Sequence, residues 1–487
     1  MRLRPTPKPE KVTTDTPNFK LSDTFIQLGA NDRLTFADIF QSIFVAGMPG
    51  SGKTSGPRDT FLRQYFRHGF GMCALTVKPE EKEEICAIAE EEGRGGDIAC
   101  ISPTEKRFYD FMDAEAKRGK GSETETLVSL LSLLVEIAQG QQKSSDSYWV
   151  GGQRQLTRNA VCLLQCAEEQ PCTVEKIYRL VISAPNSTKQ LNNKEYREDS
   201  YCFKVLEKAA ANVDRVLKEG NAETHHRDFD ICLMYWTKEF PNLAEKTRSI
   251  LVSMLSTTTD LFMRGSLKTI FSSQEGKQPC SPELAREQRK IIIMDTSIKV
   301  YEDVGKMANS LYATLFMKAM ERKPLKQTGV GVALVMDEFQ HFLTDYLYLF
   351  LQTSRSAGVS VCALTQSINN LITAYGDNGE TKAYNLLALF GQKLACKNTC
   401  VKTNAYFSEL IGQDWDDQYS SSVNLGDDDE HLSSSVSSVR RYKVEPITFT
   451  DLMSGGVENN LLVEAIAHNG RTWSNGEKHL RCYFKQQ

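Results

Sequence analysis

The residues of this chain with the clearest chemical meaning form a glycine-rich loop. The segment Gly47-Met48-Pro49-Gly50-Ser51-Gly52-Lys53-Thr54 follows the apolar run 43–46 and precedes a helix-patterned stretch. Glycines permit the tight turn in which N–H groups point at phosphate oxygens, while the lysine reaches the β- and γ-phosphates and the threonine hydroxyl binds Mg²⁺. A purely structural turn would require neither residue. We predict a nucleoside triphosphate site made by Gly47, Gly50, Ser51, Gly52, Lys53, Thr54 and Ser55.

Two carboxylates close a second apolar run, 332–336, at Asp337 and Glu338. In a nucleotide hydrolase the first carboxylate holds Mg²⁺ and the second polarises the attacking water. A solvated strand end is the alternative, but the phosphate loop upstream favours the catalytic interpretation. We predict Thr54 and Asp337 as the Mg²⁺ ligands and Glu338 as the catalytic base.

Polar residues also flank the next apolar run, 360–364. Gln366 follows it, and a polar side chain at the tip of a strand beside the one that carries Glu338 would face the γ-phosphate. Gln366 is therefore the expected phosphate sensor. Arg355 precedes the run, where in a ring it could reach a neighbouring subunit's nucleotide as an arginine finger; an ordinary surface arginine is the alternative. The predicted catalytic set is Lys53, Glu338, Gln366 and Arg355.

Apolar runs of strand length alternate with helical patterns on both sides of a long helix-patterned segment. This alternation predicts an α/β fold with a mostly parallel central sheet and an inserted all-α domain. We place an N-terminal extension at 1–24, the nucleotide-binding domain at 25–122 and 272–487, and the inserted domain at 123–271. The segment 419–438, rich in Ser and Asp, is predicted to be a mobile loop.

Charge and composition narrow the functional classes. The formal net charge of −4 excludes a protein coated in positive charge, so contact with DNA needs a local patch; the inserted segment offers Arg154, Arg158, Lys246 and Arg248. Neither a run of about 18 apolar residues nor a signal peptide is present. Thirteen cysteines without metal-site spacing indicate reduced thiols. We expect a cytoplasmic protein, with any membrane docking through a partner.

As a set, these motifs resemble the coupling proteins of type IV secretion and conjugation (TraG/TraD-like), in the FtsK–HerA branch of P-loop ring ATPases. The resemblance runs from about Phe25 to the C-terminus. It is carried by the phosphate loop, Lys78-Pro79-Glu80, Asp337-Glu338-Phe339, Ser354-Arg355-Ser356-Ala357-Gly358, Gln366-Ser367, Leu389-Phe390-Gly391-Gln392-Lys393-Leu394 and Tyr406-Phe407-Ser408-Glu409-Leu410-Ile411-Gly412.

The resemblance implies a RecA-like motor with an inserted all-α domain, ATP and Mg²⁺ as cofactors, and assembly as a hexamer around a channel. DNA is then the expected partner, together with secretion or relaxosome proteins, and the expected function is ATP-driven translocation of DNA or nucleoprotein in conjugation. Most such proteins carry N-terminal transmembrane helices, which this sequence lacks. Two alternatives stay open: a soluble ring ATPase of phage defence or DNA processing, and a module in which nucleotide switches a protein interaction.

Overall fold

A computed structural model describes residues 19–118, 123–139, 147–218, 223–425 and 430–486. Of the predicted N-terminal extension, residues 1–18 lie outside these ranges. The strands within the described residues are β1 (Thr24–Gln27), β2 (Arg33–Thr35), β3 (Ile43–Ala46), β4 (Gly71–Leu75), β5 (Ile98–Ile101), β6 (Arg107–Phe108), β7 (Gln278–Pro279), β8 (Ile291–Met294), β9 (Val332–Met336), β10 (Val359–Thr365), β11 (Gln392–Cys396), β12 (Gln413–Leu425), β13 (Glu430–Tyr442), β14 (Leu462–His468) and β15 (His479–Lys485).

The helices fall before, within and after a long helical segment between β6 and β7. They are α1 (Phe36–Ile39), α2 (Asp59–Arg67), α3 (Glu80–Glu91), α4 (Phe111–Arg118), α5 (Glu123–Gln139), α6 (Ser147–Cys166), α7 (Val174–Ile182), α8 (Thr188–Asn192), α9 (Lys194–Asp199), α10 (Tyr201–Lys218), α11 (Glu223–Met234), α12 (Phe240–Asn242), α13 (Glu245–Met263), α14 (Gly265–Phe271), α15 (Leu284–Glu287), α16 (Ile298–Arg322, broken at Glu302), α17 (Leu325–Thr328), α18 (Asp345–Ala357), α19 (Ile368–Tyr375), α20 (Gly379–Ala388) and α21 (Val401–Ile411).

A nine-stranded sheet organises the chain in the order β15-β14-β11-β3-β10-β9-β4-β8-β5. The seven strands from β11 to β5 run parallel, and β14 and β15 join antiparallel at one edge. The mostly parallel sheet predicted from the sequence is therefore present. Because parallel strands end at the same edge, the residues that follow β3, β9 and β10 meet there.

Both faces of the central strands are buried, which explains why they read as unbroken apolar runs. In β3, Phe44 and Ala46 face one hydrophobic core, while Ile43 and Val45 face the other. The first core continues into helices α5 to α14, and the second packs α2, α3 and the β1–β2 ribbon against the sheet. Residues 123–271 remain our proposed limits for the inserted domain. Among the described residues, none of the helices combines the length and the hydropathy that a transmembrane span requires.

The predicted mobile loop at 419–438 is wrong. Its described residues belong to an antiparallel hairpin of β12 and β13, in register from Gln413 opposite Tyr442 to Leu425 opposite Glu430. Backbone hydrogen bonds between the two strands replace the water contacts that a serine-rich loop would keep. A side-chain contact also joins the strands, since the Arg440 guanidinium lies 4.9 Å from the centre of the Trp415 ring. Residues 426–429, between the strands, lie outside the described residues.

Candidate active site

The phosphate loop joins β3 to a tight helical turn at Thr54–Arg58 that leads into α2. Gly50 and Gly52 have φ values of 74° and 80°, which favour glycine. A Cβ on Gly52 would lie 2.4 Å from the Val463 side chain, so packing against β14 also demands glycine there. The loop is tied to the sheet edge because the N–H of Gly47 donates to the Thr365 carbonyl at 3.1 Å.

Two contacts connect this loop to the end of β9. Lys53 Nζ lies 3.2 Å from Glu338 Oε1, and both side chains are almost completely buried. Thr54 Oγ1 donates to Asp337 Oδ2 at 3.1 Å. The structure therefore brings together the predicted phosphate-binding lysine, the predicted Mg²⁺ ligands and the predicted base. Lys53 and Thr54 meet Asp337 and Glu338 although the two segments lie far apart in the sequence.

Glu338 is held from three sides. Besides Lys53, the amides of Gln366 and Gln340 donate to its two carboxylate oxygens at 2.9 and 3.0 Å. Its backbone has φ 48°, a left-handed conformation that is uncommon outside glycine and occurs at functional sites. Gln340 is anchored in turn, because Thr365 Oγ1 donates to its amide oxygen at 2.9 Å. The sequence did not identify Gln340 as a site residue.

The electrostatic balance at Glu338 favours the ionised carboxylate. Burial raises its pKa, but the Lys53 ammonium and the hydrogen bonds from Gln340 and Gln366 lower it by more, so that its pKa lies below the usual value. Glu338 is therefore unprotonated at neutral pH, which is the state that a general base requires.

The residues present fit a nucleotide with Mg²⁺. A cavity of about 220 Å³ is lined by Met48 to Ser55, Lys78, Glu338 and Gln366. Ser51 Oγ is buried there and has no hydrogen-bond partner among the described residues, so it is available to a ligand. Mg²⁺ bound mainly by phosphate and water needs few protein ligands, and no cluster of three or more His, Cys, Asp or Glu in the described residues is placed to hold a metal.

Lys78 is a second cation at this cavity, and the sequence did not identify it as a site residue. It follows β4, whose carboxyl end lies at the same edge, and its loop is held by Glu81, which accepts the N–H of Val77 at 2.8 Å. Burial and the negative charge of Asp337 raise the pKa of Glu81 to about 7, against the opposing effects of the Val77 N–H and of Arg58. The motif Lys78-Pro79-Glu80 was the only available signal.

The last two strands also contact the phosphate loop. The Gln486 amide donates to Ser55 Oγ at 2.6 Å and accepts the N–H of Gly456 at 2.7 Å. These contacts place the predicted residue Ser55 against the end of β15 and not at the phosphates alone. Spacing along the chain could not reveal them because they cross the sheet edge.

Arg355 is not brought to this chain's own cavity. It is exposed in the last turn of α18, at the amino end of β10, whereas the phosphates would bind at the carboxyl end. Seven strand residues separate the two edges by roughly 20 Å. The turn that follows Arg355 is held by the buried Arg286, whose guanidinium donates to the carbonyls of Ala357 at 2.7 Å and Gly358 at 3.2 Å.

The four basic residues singled out in the inserted segment have different surroundings. Arg158 is ion-paired with Glu125 at 2.6 Å, and Arg248 donates to the carbonyls of Pro241 and Leu243. Arg154 lines a separate cavity of about 400 Å³ beside Lys318. Lys246 is exposed on α13. Arg158 and, less strongly, Arg154 lower the pKa of Glu125, so these two cations, one helical turn apart on α6, act on the same carboxylate. A local positive patch in the inserted segment stays a prediction.

Comparison with known proteins gives a family match and a fold match. Residues 331–454 match the family described as the TraM recognition site of TraD and TraG. No curated protein matches the chain. The chain is similar to the unbound monoclinic form of the bacterial conjugative coupling protein TrwBdeltaN70, with TM-score 0.58 and 13% identity over 93% of this chain and 87% of that chain.

Two further structures of the plasmid coupling protein TrwB are similar. The complex with the ATP analogue ADPNP has TM-score 0.57 and 14% identity, over 97% of this chain and 90% of that chain. The complex with ADP and Mg²⁺ has TM-score 0.54 and 14% identity, over 93% and 88%. The shared fold confirms the predicted fold class. The family match over 331–454, on this fold, confirms the resemblance of the chain to TraG/TraD-like type IV coupling proteins.

Proposed function

We propose that this chain is an ATP-hydrolysing motor that drives translocation of DNA or nucleoprotein in conjugative transfer. One observation carries the catalytic part of the proposal: Lys53, Thr54, Asp337, Glu338 and Gln366 meet at one edge of the sheet with the contacts that phosphoryl transfer needs. A glycine turn or a solvated strand end would not bury a lysine against a glutamate at that edge.

In the proposed reaction Lys53 leaves Glu338 and holds the β- and γ-phosphate oxygens. Thr54 and Asp337 would hold Mg²⁺, which would supply positive charge against the charge that develops on the phosphates. Glu338 accepts a proton from water as the water oxygen bonds to the γ-phosphorus. The bond from that phosphorus to the bridging oxygen breaks, leaving ADP and inorganic phosphate. The Gln366 amide orients Glu338 and the attacking water.

The transport part of the proposal is supported by the family match and by motif order, and TrwB supplies the parallel of a conjugative coupling protein that binds ATP analogues. From the resemblance to type IV coupling proteins we propose a homohexamer with DNA as partner, and from the family match we propose contact with a relaxosome protein through 331–454. The cytoplasm is the proposed location, with docking at the inner membrane through a partner.

The decisive experiment measures ATP hydrolysis by the full chain with and without single- and double-stranded DNA. We expect hydrolysis that DNA stimulates, that Glu338→Gln removes and that the matched exposed change Glu275→Gln leaves intact. Slow turnover indifferent to DNA would favour the nucleotide-switched interaction module. If DNA stimulates turnover but loss of the protein leaves plasmid transfer unchanged, the ring ATPase of another bacterial system would be favoured.

A further inference from the structure

A second cavity lies against the catalytic residues on the side away from the phosphate loop. Its volume is about 530 Å³, and its walls come from α5, α16, α19 and the turn that follows Glu338. The polar lining includes Glu136, Lys306, His341 and Thr373, the last of which is exposed and marks the opening to solvent. The reaction derived above gives this cavity no role.

The wall between the two cavities consists of side chains. Gln366 lines both, and Gln340 lines the larger one. Both amides donate to Glu338, so the partition is a hydrogen-bonded row of Gln340, Glu338 and Gln366. A partition made of side chains can open by rotamer changes, without movement of the backbone.

The proposed reaction gives a reason for a route through this partition. After the bond to the bridging oxygen breaks, ADP still occupies the phosphate loop and blocks the way past Lys53. In the proposed reaction the phosphate is released beside Glu338 and Gln366, and of these two residues Gln366 also lines the larger cavity. A path between Gln340 and Gln366 would let phosphate leave while ADP is still bound.

The charges of the cavity suit an inorganic phosphate. Lys306 on α16 lines the cavity and has no ion-pair partner among the described residues. His341 adds ring nitrogens; burial and Lys306 lower its pKa against the opposing effect of Glu338, so it is a neutral donor at pH 7. The facing negative group is Glu136 on α5, whose carboxylate accepts the N–H of Asp345 at 3.1 Å.

We propose that the 530 Å³ cavity is the exit route of the product phosphate, with Gln340 and Gln366 as its gate and with Lys306 and His341 as the groups that bind the passing anion. This inference rests on the proposed hydrolysis. Since α5 forms one wall, the position of the inserted helices determines how wide the route is.

The test separates cleavage from release. Rapid-quench single turnovers measure ATP cleavage, and a fluorescent phosphate-binding protein measures the appearance of free phosphate. Ala374→Trp fills the route, and Lys306→Gln removes its cation. We expect cleavage to stay within about twofold of the parent, while phosphate release slows by about tenfold or more in Ala374→Trp and severalfold in Lys306→Gln.

Matched controls are Ala388→Trp, an exposed position on α20, and Lys299→Gln, an exposed position on α16, and both should behave like the parent. Lys306→Gln should also weaken inhibition of turnover by added inorganic phosphate. Release that keeps pace with cleavage in Lys306→Gln, with unchanged phosphate inhibition, would overturn the exit route, even if Ala374→Trp failed to fold. Absence of cleavage in the parent would instead overturn the proposed function.

Discussion

Lys53 and Glu338 neutralise each other across 3.2 Å in a nearly solvent-free site, so nucleotide phosphates must compete with Glu338 for the lysine. In Glu338→Gln this competitor is gone, and we expect nucleotide binding to be retained or tightened while turnover falls by about 10² to 10⁴. Lys53→Ala should lose both binding and turnover. Titration with a fluorescent ATP analogue and steady-state phosphate release measure the two effects. Parental turnover in Glu338→Gln would contradict the assignment of the base.

Glu81 makes the stability of the folded protein depend on pH. Its pKa of about 7 in the folded protein lies above the usual 4.5, so the folded state holds this proton more tightly than the unfolded state does. The contribution of Glu81 to the free energy of unfolding is therefore fully present below about pH 4.5 and is lost as the pH rises through about 7. We expect the unfolding free energy, measured by denaturant titration without nucleotide, to fall over this interval by about 3 kcal/mol more in the parent than in Glu81→Gln. Glu275→Gln is the control. Parallel pH profiles for parent and Glu81→Gln would show that Glu81 ionises normally.

The set of residues that meets at the carboxyl edge of the sheet could be predicted because phosphate chemistry dictates both their types and their spacing. Lys53, Thr54, Asp337 and Glu338 stand in short motifs at strand ends, and Gln366 required only the further assumption that adjacent strands end together. Gln340 could not be predicted in this way, since its role depends on a turn in which Glu338 adopts a positive φ. The roles of Lys78 and Gln486 depend on packing between distant strands, which leaves no local pattern.

At the scale of elements, Arg286 holds two helix ends together. Its buried guanidinium donates to carbonyls at the end of α16, Met320 and Lys323, and at the end of α18, Ala357 and Gly358. A lysine offers a single ammonium and cannot reach all four carbonyls. We expect Arg286→Lys to lower stability by about 2 to 5 kcal/mol, read as a lower denaturation midpoint.

The matched control for Arg286→Lys is Arg227→Lys, an exposed position on α11, which should leave the midpoint unchanged. Because Arg286 fixes the turn that follows Arg355, turnover per folded molecule should also fall in Arg286→Lys. An unchanged midpoint would mean that the four carbonyls find other donors.

The elements that the sequence predicted best are those with a single dominant signal. Central strands such as β3 and β9 are apolar without interruption because both faces are covered, and α16 carries a long helical pattern. The β12–β13 hairpin was missed because serine and aspartate dominate its composition. Trp415, Asp417 and Tyr419 would share one face of a strand, so the segment lacks the alternation of apolar and polar residues that indicates a strand. Pairing with β13 is what gives so polar a segment regular structure.

At the scale of the whole molecule, the exposed position of Arg355 at the amino edge of the sheet excludes a role in its own subunit's cavity. If it acts on a neighbour's nucleotide in a ring, mixing Arg355→Ala with Lys53→Ala subunits restores some complete sites. Each site needs an intact Lys53 on one subunit and an intact Arg355 on the next, so an equal mixture should recover about one quarter of parental activity.

Steady-state ATP hydrolysis after co-assembly measures this recovery, and each variant alone should be inactive. Full activity of Arg355→Ala alone would mean that Arg355 is an ordinary surface arginine without a catalytic role. Assembly of each variant is checked by its sedimentation, so that a lost interface is not mistaken for lost chemistry.

The strand order of the sheet has a consequence for how the chain is made. The strand that leads into the phosphate loop, β3, is near the start of the chain, yet its two neighbours are β10 and β11, with Ile43 opposite Cys362 and Gln392. Such long-range pairing makes folding slow, because closing a large loop costs chain entropy before the stabilising contacts form. On the ribosome, the apolar faces of β3 therefore stay uncovered until most of the chain has emerged. Nucleotide cannot stabilise the site during this time, because the second half of the site has not yet been synthesised.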